Sequence, residues 1–202
     1  MAAPRIALIR HGQTEWSATG RHTSYTDLDL TPDGIVQAGA IDYLLDGLGL
    51  APVTVLTSPR QRAKRTAELA GLTVTGELDD LAEWNYGEYE GITSPEIHVT
   101  NPGWTIFHNG APGGESPQQV SDRADRALAT ARTYLGAGDV ALVGHGHMSR
   151  VLATRWVGLD ISNGAKLAMS PAAVTVLSTY HGEPNLDHVN VVPFALRGLG
   201  GV

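Results

Sequence analysis

The chain has 202 residues, a formal net charge of −7 and no cysteine. That length suits one core with inserted segments, and folding should bury roughly 70% of the unfolded chain's surface without help from disulfides or a structural metal. The missing cysteines exclude thiol nucleophiles, Cys-based zinc sites and redox switching, and the 14 Lys and Arg form no stripe suited to nucleic acid.

"MAAPR" runs directly into an apolar stretch with no leader pattern, and no apolar run reaches membrane-spanning length. The expectation is a soluble, cytoplasmic, single-domain protein over 1–202, either monomer or homodimer, with no nucleic-acid or membrane partner. In chain order, Arg5 to Ile9 reads as a buried strand that ends on Arg10 and His11. Thr31-Pro32 opens a helix, which buries Ile35, Ala38, Ile41, Leu44, Leu45 and Leu48 at helical spacing and stops near Gly49. Val53 to Thr57 is a second strand. Ser58-Pro59 then reads as another helix start, with Gln61 completing a capping box and Gly71 as its stop.

From about 84 to 115 the periodicity fades while aromatics, Pro and Gly accumulate, which predicts an irregular inserted cap. Ser116-Pro117 with Gln119 starts the next helix, Gly136 ends it, and Asp139 to Val143 is a third strand. Ala173 to Tyr180 and Asn185 to Val192 flank "HGEPN" as an antiparallel hairpin, and about 195–202 reads as a mobile tail. The alternation predicts an α/β, three-layer fold: a mostly parallel sheet with helices on both faces. Such folds bind ligands beyond the carboxyl ends of their strands.

Three strand ends carry polar groups to that edge: Arg10 and His11, then Ser58, Arg60 and Arg62, then His145 and His147 in "GHGH". Buried cations and imidazoles side by side call for an anion between them, most simply a phosphoryl group. "HGH" also raises a rival two-ligand metal site, but Met148 and Ser149 beside it supply no further ligand, so neither metal nor cofactor is expected.

"LIRHGQTEW", "GRHTSYTDLDLTPDGIVQA", "TSPRQRAKRTAELA", "LAEWNYGEYEG", "GGES" and "VGHGHMSR", in this order, resemble the histidine phosphatase, or phosphoglycerate mutase-like, superfamily over roughly residues 5 to 180. The resemblance implies a phosphohistidine mechanism without metal. His11 matches the nucleophile, Glu83 the general acid and base, and Arg10, Arg62 and His145 the groups around the phosphoryl oxygens. It further implies phosphate or substrate contacts from Ser17, Thr23, Ser24, Tyr86 and Gly146, although Ser24 stands in place of the usual glycine and Ser17 in place of a common asparagine. Arg60, two positions before Arg62, is expected to face the surface.

The superfamily holds both mutases and phosphatases. No Lys or Arg occurs from Thr66 to Asp122, so the cap lacks the second anion clamp of a mutase, and His98 and His108 are its sole potential cations. "EWNYGEYEGITSPEI" with "GWTIFHNGAPGGES" is similar to bacterial acid phosphatases and, more distantly, to sedoheptulose-bisphosphatase-type enzymes. The expected activity is therefore hydrolysis of a small phosphomonoester, a sugar phosphate or a broad set. A phosphoglycerate mutase and a catalytically silent phospho-ligand binder are the alternatives. Trp84, Tyr86, Tyr89, Trp104 and Phe107 either close the cap or wall a pocket.

Overall fold

A computed structural model describes residues 3–193; the tail expected over about 195–202 lies outside them. The strands are β1 (Ile6–Arg10), β2 (Thr54–Thr57), β3 (Gly76–Glu77), β4 (Val140–Gly144), β5 (Val174–Tyr180) and β6 (Glu183–Val191). They form one six-stranded sheet in the order β3-β2-β4-β1-β5-β6. Pairing is parallel from β3 through β1, and antiparallel for β5 against β1 and for the β5–β6 hairpin.

The helices are α1 (Glu15–Ala18), α2 (Pro32–Gly39), α3 (Ile41–Gly47), α4 (Gln61–Leu69), α5 (Ser94–Thr100), α6 (Ile106–Asn109), α7 (Pro117–Tyr134) and α8 (Gly146–Trp156). They cover both faces because the central strands are apolar on both. Ile6, Leu8, Leu56, Val140 and Leu142 pack into one cluster with α7, α8 and the aromatics of 84–107. Ala7, Ile9, Val55, Ala141 and Val143, the alternate residues, pack into a second with α3 and α4.

Three local expectations differ from the structure, and one short strand was not expected. The first helix breaks at Ala40 into α2 and α3; Ala38, Ile41 and Leu45 are buried, but Ile35 is 43% exposed. Ser58 caps nothing through Gln61: α4 begins with Arg60 as its cap residue, and the Gln61 N–H donates instead to the Asp27 carboxylate at 3.0 Å. The short strand β3 went unread, since two residues carry no periodicity. The segment 84–115 is not irregular throughout, because α5 and α6 lie in it, the former held by a Thr93–Glu96 capping box. Where a capping signal was purely local, at Thr31 and at Ser116 with Gln119, the helices start as expected.

Register decides what meets at the sheet edge. Arg10 pairs with Gly144 and Thr57 with Val143, so the next residues, His11, His145 and Ser58, leave three adjacent strands together. The His11 N–H donates to the Gly144 carbonyl at 2.9 Å, and the Ser58 N–H to that of Val143 at 2.9 Å.

Candidate active site

Beyond that edge lies a cavity of about 270 Å³ bordered by Arg10, His11, Ser17, Thr23, Glu83, Tyr86 and Gly146 among the expected residues. Arg62 and His145 do not border it: both are fully buried, the His145 and His11 rings meet edge-on at 5.2 Å, and the Arg62 charge acts on His11. Ser24 does not border the cavity. Its hydroxyl donates to Glu90 and its carbonyl accepts from Arg62, so its side chain serves the loop rather than the pocket. Ser17 borders the cavity, yet its hydroxyl is already engaged in a capping box with Thr14 at the start of α1.

His11 is held in one tautomer. Its Nδ1 lies 2.7 Å from the Gly12 carbonyl oxygen. A carbonyl only accepts, so Nδ1 carries the proton and Nε2 keeps its lone pair toward the cavity. Burial, then the Arg62 and Arg10 charges, push the imidazole's pKa well below its ordinary value. His11 is thus a neutral ring with a free nitrogen under the charge of two guanidinium groups.

The loop that places His11 is pressed against α2. A Cβ on Gly34 would collide with the Gln13 carbonyl oxygen, and one on Gly12 with that of Gly34, so both positions need glycine for a close backbone approach. Gly146 is less constrained: a Cβ there would sit 3.2 Å from the Arg10 guanidinium carbon, a tight contact to which that side chain would have to yield.

The cations are anchored from behind. Arg10 donates from NH1 to the Met169 carbonyl at 2.6 Å, and its buried Nε has no partner among the described residues. Arg62 donates to the carbonyls of Thr26 (2.9 Å), Ser24 (3.0 Å) and Thr23 (3.2 Å), and its buried Nε is likewise free. The Ser58 hydroxyl, from the expected cap, lies 2.7 Å from Nε2 of His145, while His145 Nδ1 is buried without a partner among the described residues. Buried polar groups left open around one neutral imidazole suit an oxyanion. Arg60 is half-buried rather than on the surface, and its charge joins that of Arg62 in depressing the His145 pKa, behind the larger effect of burial.

Glu83 reaches the cavity from the turn after β3. The N–H groups of Trp84 (3.0 Å) and Met148 (2.9 Å) donate to its Oε1 and that of His147 (3.0 Å) to its Oε2, so the first turn of α8 fixes both oxygens. Arg123 on α7 donates to the carbonyls of Asp80, Ala82 and Glu83 and pairs with Glu115 at 2.8 Å, clamping the acid's own backbone.

Sequence reasoning missed Arg21 and Arg150, which both border the cavity from outside the cap. The cap's lack of Lys and Arg therefore does not leave the pocket without further cations. Arg150 stands one turn after "HGH", where helical spacing could have pointed to it. A second cavity of about 230 Å³ adjoins the first through His22, Ser94, His147 and Arg150, and includes His98, Trp104 and Phe107. Trp84, Tyr86, Trp104 and Phe107 are core residues first. His108 borders a separate groove, so of the two cap histidines His98 alone faces these cavities. Among the described residues no cluster of three or more His, Cys, Asp or Glu could hold a metal ion, and no helix is long and apolar enough to cross a membrane.

The profile of the histidine phosphatase superfamily (branch 1) matches residues 6–192. An acid phosphatase of Mycobacterium tuberculosis is 46% identical over 178 residues, 88% of each chain. A sedoheptulose 1,7-bisphosphatase of Saccharomyces cerevisiae is 34% identical over 78% of this chain and 69% of its own. The solved structure of a Mycobacterium tuberculosis open reading frame superposes with a TM-score of 0.91 at 44% identity, covering 94% of this chain and 98% of that one.

Proposed function

The chain belongs to the histidine phosphatase superfamily and is a phosphomonoester hydrolase; from that premise we propose that it works through a phosphohistidine on His11, without a metal, on small polyhydroxylated phosphate esters. The observation that carries the reading is the His11 tautomer. With Nδ1–H committed to the Gly12 carbonyl, Nε2 attacks phosphorus in line as the ester P–O bond breaks. Glu83 gives its proton to the leaving oxygen. It then takes one from the water that displaces His11 from phosphorus, releasing inorganic phosphate and restoring the neutral ring.

Transfer of a phosphoryl group needs mainly positioning and charge compensation. Arg10 beside the nucleophile and the buried Arg62 and His145 supply fixed positive and hydrogen-bonding groups, the role a metal would otherwise take. The substrate class rests on the wall beyond Glu83, where Arg21, His22, Ser94, His147 and Arg150 are polar or charged. Arg21 and Arg150 also suit a second anion on the leaving group, in keeping with the bisphosphatase relative.

The test is phosphate release from sugar mono- and bisphosphates, 3-phosphoglycerate and p-nitrophenyl phosphate, with chelator present throughout. Release should persist in chelator and vanish in His11→Ala, and Glu83→Gln should lower kcat by about 10²–10⁴-fold, least for p-nitrophenyl phosphate, whose leaving group needs no proton. Loss in chelator restored by zinc, or phosphoryl transfer to a second phosphoglycerate position instead of water, would refute it.

A further inference from the structure

His147 is not needed for the chemistry above, yet it stands where the two cavities join. Its main-chain N–H donates to Glu83, the residue assigned above to the leaving oxygen, and His147 borders both the cavity that holds Glu83 and the one next to it. Nδ1 is 2.6 Å from the Tyr86 hydroxyl. Nε2 has no hydrogen-bond partner among the described residues and is not sealed from the cavity.

The Tyr86 hydroxyl determines what Nε2 can do. Tyr86 is buried, and its ring is pinned by stacking on His22 at 4.7 Å. Burial, followed by the Glu83 charge, raises the phenol's pKa well above its ordinary value, so the oxygen keeps its proton. A phenol is a stronger donor than a neutral imidazole N–H, and the imidazole nitrogen is the stronger acceptor. The shared proton therefore belongs to Tyr86 and points at Nδ1, which leaves the other ring proton on Nε2. Burial and the Arg150 charge keep the ring neutral, so it acts as a single directed donor rather than a cation.

We propose that His147 is a specificity-determining residue, whose Nε2–H donates a hydrogen bond to an oxygen on the leaving-group carbon next to the phosphate ester. The inference rests on the phosphatase reading and narrows its substrate: esters with a hydroxyl or carbonyl adjacent to the ester carbon are selected over plain alkyl esters of equal size. Removing the ligand oxygen leaves a buried donor unpaired, which is how such sites discriminate.

The experiment compares sn-glycerol 3-phosphate with n-propyl phosphate, which differ only in hydroxyl groups. In the intact enzyme the ratio of their kcat/KM values should favour glycerol 3-phosphate, and His147→Ala should shrink that ratio by about tenfold, the scale of one hydrogen bond. Tyr86→Phe, which frees the tautomer, should shrink it partly, and His147→Gln, which keeps an N–H donor, should restore part of it. A ratio unchanged by His147→Ala, or both esters losing rate equally, would overturn the proposal. Thermal midpoints identify any variant that fails to fold. The same pair titrated calorimetrically into His11→Ala, with and without His147→Ala, reads the ratio of Kd values without turnover. Absence of hydrolysis therefore bears on the phosphatase reading, and an unchanged Kd ratio on His147.

Discussion

Arg62 is fully buried and spends its guanidinium on three carbonyls of the turn from Thr23 to Thr26. That turn is held in its own right by Glu90, whose carboxylate accepts from the Ser24 N–H (2.9 Å), the Thr26 N–H (3.1 Å) and the Ser24 hydroxyl. Glu90 thus positions Arg62 through the backbone, without touching substrate. Glu90→Gln keeps the shape but replaces one acceptor oxygen with a donor, so the turn should lose its clamp and Arg62 its alignment. A misplaced catalytic group can cost up to about 10²-fold in rate, and kcat for p-nitrophenyl phosphate should fall by about 10–100-fold with a lower thermal midpoint. Activity within twofold of the intact enzyme would show that Arg62 is held without Glu90. The sequence offered "EYEG" only as part of a motif; nothing in it linked Glu90 to residues 64 and 66 positions away.

At the scale of elements, the legible parts were those set by neighbours in sequence. Continuous apolar runs marked β1, β2, β4 and β5, because central strands are buried on both faces. The capping boxes at Ser116 and the cap at Thr31 involve residues within three positions. What misled was tertiary competition: Ser58 had the chemistry of a cap but lies against His145, and Asp27 took over the α4 amide. His11 and the surrounding Arg and His positions could be brought to one place from sequence because each follows a strand end or sits in a motif. Arg21 and Arg123 could not, since their relevance depends on how α7 and the loop after α1 pack, whereas Arg150 was within reach of helical spacing from His147. Arg123 is the clearest case, one α7 side chain clamping the backbone from Asp80 to Glu83. Arg123→Met should preserve much of the packing while releasing that clamp. It should lower stability by about 2 kcal/mol, as expected for loss of a partly buried charged hydrogen-bond network, and lower kcat more for alkyl esters, which depend on Glu83, than for p-nitrophenyl phosphate. Denaturant midpoints and kcat for the two esters check both halves.

Across the whole molecule, burial of the site makes stability depend on pH. Burial is the main reason that His11, His22, His145 and His147 have pKa values below that of a free imidazole, His22 at about 4. As pH falls below about 6.5, the unfolded chain takes up protons that these folded rings refuse, so the unfolded state gains and stability drops. For His22 the loss accumulates between that value and about 4, then levels off; His11, His145 and His147 add to it in the same direction. The denaturant midpoint should therefore fall from pH 7 to 4.5, and His22→Asn should flatten the slope; a flat profile in the intact protein would show that these rings titrate normally. The same burial keeps His11 unprotonated in mild acid, so the nucleophile itself should survive where stability is declining. Whether it is the nucleophile is read most directly by rapid quench of the enzyme with a ³²P-labelled ester, followed by peptide mapping. An acid-labile, alkali-stable phosphoryl group on the peptide containing His11, formed before phosphate release and absent from His11→Ala, is the expected result; steady turnover with no labelled enzyme at any time would mean that water attacks the ester directly.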